Sequence, residues 1–371
     1  MARRVVVTGL GVVAPNGNTV ADSWRNIVAG KSGIRPITSF DISDFSTRFG
    51  GSIVDFDVAQ YISPKEARKM DPFIHYGMAA AIQSMDDSGL TVTDENRRRI
   101  GVLIGSGIGG LPGIEKGYQS FLDGGPRKIS PFFVPSNIIN MISGNLSIKY
   151  GIKGPNFALV SACSTGAHCI GLAARMIERG EVDAMIAGGA ENATCPTGIG
   201  GFASARALST RNDDPEGASR PWDRDRDGFV LSDGAGVMVL EEYEHARKRG
   251  AKIYAEVVGY GTSADAYHIT APAPGGTGAI ACIRRALADA GTAVYFMTGN
   301  RDLLAGPAFA RAIGATLLED PARVRFGDRA DAPALLSRIE LGHERRDSEG
   351  LNQAAHFLRS SALALGATDL A

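Results

Sequence analysis

Asn156-Phe-Ala-Leu-Val-Ser-Ala-Cys-Ser-Thr-Gly166 is the stretch from which the rest of the chain can be read. Phe157 to Ser161 is an apolar run of strand length. Cys163 follows, and Ser164 and Thr165 stand where a helix would start. Small and apolar residues continue at helical spacing to about Arg179. The pattern predicts a strand, a sharp turn with a thiol at its apex, and a helix leaving that turn. A helix N-terminus carries unpaired N–H groups and a partial positive charge. That environment favours the thiolate, the nucleophilic form of cysteine. Residue types alone leave a second reading open, a small buried structural cysteine.

The composition bounds the alternatives. The chain has 371 residues, enough for two domains or one large duplicated one, and its hydrophobic share of 44% can build a sizeable core. A net charge of -1 gives no general attraction to nucleic acid or to a membrane surface. The 47 glycines are scattered at turns and strand ends, as in a tightly packed α/β protein. Cys163, Cys169, Cys195 and Cys282 form neither a C-x-x-C pair nor a zinc pattern. Four cysteines in so long a chain point to a reducing compartment, so a cytoplasmic location is expected. The apolar run after Met-Ala-Arg-Arg is short for a secretory signal, and no run approaches membrane-spanning length.

Further elements follow in order. Arg4 to Leu10 reads as a strand. Gly9-Leu-Gly-Val-Val-Ala14 matches the dinucleotide pattern G-x-G-x-x-A, but Pro15-Asn16-Gly17 interrupts where a phosphate-binding helix would have to begin. Ser63 to Met70 starts a helix with Pro64 in its first turn and carries Lys65, Arg68 and Lys69 close together. Ile100 to Ile104 is an apolar strand that runs into Gly105-Ser-Gly-Ile-Gly-Gly110, and Asp183 to Glu191 is another strand. A strand–helix–strand order implies parallel pairing and a layered α/β fold. Asp223, Asp225, Asp227 and Gly228 imitate a calcium loop, but position twelve is Gly234 and the next segment, Gly236 to Glu241, reads as a strand. That loop is expected to be an ion-pair structure. Lys252 to Gly261 reads as a strand, Thr277 to Gly291 as a helix, and His245 as a solvated residue of a polar helix.

These residues resemble the β-ketoacyl-acyl-carrier-protein synthases, and within them the type II elongation enzymes. The likeness runs from about Arg4 to Gly291. It rests on VVVTGLGVVAPNGN, SACSTGAHCIG, AGGAEN, GIGGFASARALS, ASRPWDRDRDGFVLSDGAGVMVLEE and SADAYHITAP. The resemblance implies a thiolase-like layered α/β fold of two similar halves, usually dimeric. It implies acyl transfer to a cysteine, then decarboxylative Claisen condensation with a malonyl thioester. Cys163 would be the nucleophile, its own N–H one oxyanion donor. Phe202 would gate the acyl pocket, with Ile108, Phe133 and Val134 lining it. Lys65, Arg68, Lys69, Arg127, Lys128 and Arg206 would dock an acidic acyl carrier protein. His268 and Thr270 would lie near its pantetheine, and His75 and His168 would have no catalytic role. No bound cofactor is implied, since phosphopantetheine arrives on the carrier. No nucleic-acid partner is expected.

The family's later motifs, H-G-T-S-T, S-T-K-S-x-x-G-H and G-F-G-G-T-N, do not follow Gly291. They would supply a lysine, two histidines, the remaining oxyanion donor and a second gate. His343 and His356 stand in other contexts. Ala293 to about Gly327, with Gly299-Asn-Arg-Asp302, instead resembles an internal piece of the UDP-2,3-diacylglucosamine pyrophosphohydrolases. Asn300 would be a metal ligand there, but one Asn does not make a metal site. The expected organisation is therefore an N-terminal thiolase-like half at 1–250, the start of the second half at 251–291, and a non-family tail at 292–371. Two functional readings follow: an acyltransferase impaired in condensation, or a non-catalytic, carrier-binding or dimerising remnant of a chimeric gene.

Overall fold

The computed structural model describes residues 3–221 and 223–290, together with the backbone of two short parallel strands at Tyr295–Phe296 and Thr316–Leu317. Asn300, His343, His356 and the rest of the expected tail apart from those two strands lie outside the described residues. The chain divides into two units, Met1–Tyr254 and Ala255–Ala371.

The first unit is built on a mixed sheet. Its strands are β1 (Val5–Val13), β4 (Ile100–Gly105), β5 (Asn156–Phe157), β6 (Ala184–Glu191) and β7 (Gly234–Glu242), in the spatial order β5-β4-β6-β7-β1. β2 (Arg35–Pro36) and β3 (Phe49–Gly50) form a separate antiparallel pair. β4 pairs in parallel with both β5 and β6, as strand–helix–strand order requires. β6 with β7, and β7 with β1, are antiparallel. The strand read at 157–161 is shorter than expected: the ladder ends at Phe157, and the chain then runs beside β4 without pairing. β1 in turn runs three residues further than expected.

Its helices are α1 (Val20–Val28), α2 (Pro64–Ala67), α3 (Pro72–Ser88), α4 (Leu111–Gly124), α5 (Phe133–Asn137), α6 (Met141–Tyr150), α7 (Thr165–Glu178), α8 (Pro196–Ser204) and α9 (Tyr243–Lys248). One face of the sheet is covered by α3 and α6. There Phe73, Ile74, Met78, Ile142 and Leu146 pack against Ile100, Val102, Ile104, Ala184, Ile186, Val237 and Val239. The opposite face receives α7, because alternate strand residues point to opposite sides and Gly189 of β6 abuts Gly166 of α7. Both faces of β4 are buried, which explains why its sequence is a continuous apolar run rather than an alternating one.

The glycines of Gly9-Leu-Gly11 serve packing, not nucleotide binding. β1 continues through them, with a register shift against β7 between Val7 and Gly9. A Cβ at either position would overlap a carbonyl oxygen of α3, that of Ser84 or Ala80. The helix that follows begins only at Val20, capped by Thr19.

One sequence expectation changes and another holds. His245 is not simply solvated: its Nδ1 lies 2.8 Å from Oε2 of the fully buried Glu241. Arg249 Nε donates to the same carboxylate at 2.8 Å, Arg249 Nη2 bonds its other oxygen, and Thr8 Oγ1 donates at 2.5 Å. The 220–227 loop carries the expected ion pairs, Arg220 with Asp223 at 3.7 Å and Arg224 with Asp225 at 3.3 Å. Asp227 also accepts from the Thr210 N–H.

In the second unit only Ala255–Val257 (β8) of the expected strand is regular, followed by α10 (Thr277–Ala290). Gly259 and Gly261 face the carbonyls of Ala286 and Cys282, where a side chain would collide with the helix. Cys282 Sγ donates to the Gly261 carbonyl at 2.8 Å. Among the described residues, no helix is long and apolar enough to cross a membrane.

The Glu241 cluster makes a pH-dependent prediction. Burial alone would raise this carboxyl, but the bonds from Arg249, His245 and Thr8 outweigh it and hold its pKa at about 2. A depressed carboxylate pKa contributes stability that is full above the unfolded value and lost as pH falls through the folded one. Glu241→Gln leaves the Arg249 charge half-buried without its partner, and its expected cost at neutral pH is about 3–5 kcal/mol. Measured by urea unfolding, the gap between wild type and variant is expected to shrink as pH falls from about 5 toward 2. A gap independent of pH over that window would refute the assignment.

Candidate active site

The parallel strands β4, β5 and β6 end together at one edge of the sheet, and the candidate site is built there. Open α/β sheets place ligands outside the carboxyl ends of their parallel strands. From this edge rise the Cys163 turn, the loop after β4, and the loop after β6.

The Cys163 turn is a single 3-10 turn, Ala162–Ser164, that leads into the fourteen-residue α7. Ala162 takes a left-handed φ of 51°, unusual for a residue with a side chain. The Ser161 N–H donates to Thr165 Oγ1 at 2.8 Å and so ties the turn to the first helical residue. Ser161 Oγ also lies 2.6 Å from His168 Nδ1. Beneath the turn, Gly105 makes room for the helix: a Cβ there would lie 2.5 Å from Thr165 Cγ2 and 3.1 Å from Cys169 Sγ.

The four cysteines are not equivalent. Cys163 is exposed, Cys169 and Cys195 are buried, and Cys282 is half-buried. Burial pushes the Cys169 thiol up, and pushes that of Cys195 to about 12. Of the four, Cys163 alone combines an accessible sulfur with a position at the head of a helix. That arrangement suits a nucleophile and disfavours the structural reading left open by residue types alone.

Three carboxylates that sequence reading missed organise the loops around it. Glu191, the last residue of β6, accepts from Ser106 Oγ at 2.8 Å, from the Gly107 N–H at 2.8 Å, from Ile108 at 3.1 Å and from Gly109 at 3.4 Å. Buried Asp233 accepts from the N–H groups of Ala193 and Thr194 at 2.8 and 3.0 Å and from the Thr194 hydroxyl. Buried Asp71 caps α3 and accepts from Gly113 at the start of α4 at 2.8 Å. Burial pushes Asp71 up to about 6, against its bonds to Phe73 and Gly113, and the nearby charges of Glu191 and Asp233 add to the effect. The available signal was an acid closing an apolar strand, as in A-G-G-A-E, with a glycine-rich loop elsewhere needing an anchor.

The other predicted residues fall into groups. Ile108, 38% exposed, sits on the loop held by Glu191. Phe133 is half-buried against Gly117 of α4, and Val134 is 60% exposed. Phe202 on α8 is half-buried and packs edge-to-face on Phe229, ring centroids 5.2 Å apart. Lys65 on the short α2 and Arg68 at its C-cap are exposed. Lys69 pairs with Glu66 at 2.8 Å and lies 5.4 Å from the ring centre of Phe132. Phe132 follows the exposed Arg127 and Lys128, so that aromatic contact joins the two basic segments. Arg206 is exposed at the end of α8 with a left-handed φ of 53°. His75 bonds the Ala67 carbonyl through Nε2 at 2.8 Å, a packing role. In the second unit, His268 Nδ1 accepts from the N–H groups of Thr270 and Ala271 at 3.2 and 3.1 Å, which shapes its own turn.

Comparison with known proteins settles the family. The β-ketoacyl synthase N-terminal domain model matches residues 2–246, more than half of the chain. The chain belongs to the β-ketoacyl synthase family. The corresponding C-terminal domain model matches residues 254–296. The 3-oxoacyl-[acyl-carrier-protein] synthase 2 of Vibrio cholerae is 63% identical over 289 residues, 78% of this chain and 70% of that protein. The synthase of the same name from Coxiella burnetii is 55% identical over 347 residues, 92% of this chain and 82% of that protein, so its alignment extends into the 292–371 segment. Among solved structures, a β-ketoacyl synthase from Burkholderia phymatum has a TM-score of 0.74 at 31% identity over 84% of this chain and 78% of that one. A type II PKS ketosynthase bound to a hexaketide, in complex with its acyl-carrier protein, has a TM-score of 0.74 at 32% identity over 85% and 78%. The fold is therefore that of thiolase-like ketosynthases, and the chain is an acyltransferase of that family.

The site makes a simple reactivity prediction. Limited iodoacetamide treatment followed by peptide mapping is expected to modify Cys163 at least about tenfold faster than Cys169 or Cys195. Earlier labelling of either buried cysteine would contradict the assignment of the reactive thiol.

Proposed function

We propose that this chain accepts an acyl group from acyl carrier protein onto Cys163, as a 3-oxoacyl-[acyl-carrier-protein] synthase of fatty acid elongation does. The Cys163 thiolate attacks the thioester carbonyl carbon. A new C–S bond forms, the bond to the carrier's phosphopantetheine sulfur breaks, and that sulfur leaves and takes up a proton. The Cys163 N–H, at the head of α7, is one donor for the oxygen that becomes negative in between. One observation carries the reading: the exposed thiol stands on a helix head at the carboxyl edge of parallel strands, inside the segment matched by the family model. The exposed Lys65, Arg68, Arg127 and Lys128 suit an acidic carrier protein, and the relatives' names point to the same partner.

The second half-reaction is proposed to be weak. Loss of CO₂ from a malonyl thioester builds negative charge on its carbonyl oxygen, and a family member meets that charge with two imidazoles. The motifs that would bring them, and the accompanying lysine, are not found within these 371 residues. The match of the C-terminal family model ends at residue 296. One lost preorganised donor costs about 10²–10³ in rate, so the loss of several leaves acyl transfer as the main activity.

Incubation with an acyl-carrier protein followed by intact-mass measurement is expected to show one added acyl group, absent in Cys163→Ala. No mass shift in the wild-type chain would sink the reading. Lys65→Glu with Arg68→Glu is expected to slow loading about tenfold at low salt, with the difference narrowing as salt rises. Loading insensitive to both reversals would exclude this face as the docking site.

A further inference from the structure

Glu191 has no assigned part in acyl transfer, yet its surroundings are unusual. Three consecutive N–H groups, those of Gly107, Ile108 and Gly109, converge on one carboxylate, and the Ser106 hydroxyl completes the set. Successive backbone donors that curl in this way form an anion-binding concavity. Here the anion is the protein's own. The Ser106 oxygen also accepts from the Gly109 N–H at 3.0 Å, which closes the loop on itself. Burial raises the Glu191 pKa, but the side chain makes up for lost water with four donors.

The loop held in this way lies directly against the nucleophile turn. A Cβ on Gly107 would stand 2.8 Å from Glu191 Oε2 and 3.4 Å from the Ala162 carbonyl oxygen. Gly107 is thus close both to the carboxylate and to the residue preceding Cys163. The next residue is Ile108, whose large apolar side chain is 38% exposed. An apolar side chain held by a fixed backbone beside a thiol can discriminate between acyl chains of different length. One on a loose loop cannot, because it moves aside.

We propose that Glu191 is a positioning residue: its carboxylate clamps the 106–109 loop against the Cys163 turn and so sets which acyl chains the thiol accepts. The inference rests on the acyl-transfer reading of Cys163. It assigns Glu191 no contact with the reacting atoms.

Glu191→Gln tests it, since the amide keeps the size of the side chain but turns an NH₂ toward donors. Amide hydrogen exchange at 107–109 is expected to speed up about tenfold in the variant, with the rest of β6 unchanged. Loading of Cys163 is then compared for hexanoyl- and palmitoyl-carrier protein. The ratio of their half-saturation concentrations is expected to shift at least about threefold, while alkylation of Cys163 by iodoacetamide stays within about twofold of wild type. Unchanged exchange, or faster exchange with an unchanged chain-length ratio, would overturn the proposal. A wild-type chain that loads neither acyl group would instead sink the acyl-transfer reading itself. If Glu191→Gln does not fold, Gly107→Ala disturbs the same contact from the loop side, and the same three readouts apply.

Discussion

The site depends on backbones that meet with almost no side chain between them. α7 rests on the carboxyl ends of β4 and β6 because Gly105, Gly166 and Gly189 leave room for it. Gly188 does the same toward β7, where a Cβ would overlap the Gly236 carbonyl. Interiors are packed at crystal-like density, so a methyl group at such a point has nowhere to go except by moving the helix. A nucleophile on the first turn of that helix inherits its position from the sheet. The left-handed Ala162 then turns the chain so that Cys163 faces outward instead of into the core.

Once the helix is seated, the loops around it must be fixed separately, and buried acids do this. Glu191, Asp233 and Asp71 each accept backbone N–H groups from segments distant in sequence: the loop after β4, the loop after β6, and the start of α4. Hydrogen bonds to an ionised acceptor are about twice as strong as neutral ones, and the donors they satisfy would otherwise be buried and unpaired. At the other end of the sheet, Glu241 does comparable work between β1, β7 and α9 through Thr8, His245 and Arg249. The unit is thus an apolar sheet sandwich whose connections are held by individually satisfied carboxylates.

Much of this was legible in the sequence, for physical reasons. The continuous apolar runs near Ile100 and Asp183 and the helical spacing after Cys163 are clear local signals, and the strands and α7 fall close to where they were read. The extent of pairing was less legible. Whether 158–161 pairs with β4 depends on strand geometry, and only Asn156 and Phe157 do. G-x-G-x-x-A misleads locally, because a glycine that admits a helix and one that admits a phosphate are the same letter. His245 looked solvated because its partner, Glu241, is buried in a strand and reads simply as a charged strand end. The carboxylate clamps were missed for the same reason: Glu191 and Ser106 are 85 residues apart, and nothing in either segment names the other. The residues themselves picked out Cys163 and the basic cluster, the resemblance gave each a role, and the geometry supplied what holds them in place.

The proposed function is acyl loading without efficient condensation, resting on an exposed thiol on a well-built turn and on the family's later motifs not being found within these 371 residues. That claim is tested most directly by counting CO₂. The chain is first loaded at Cys163 with an acyl group, then given malonyl-carrier protein labelled in its free carboxyl, and label release is compared with the rate of loading. The account predicts release slower than loading by at least about a hundredfold, with the acyl group retained on Cys163. Release at the loading rate, with 3-oxoacyl product formed in equal amount, would contradict it.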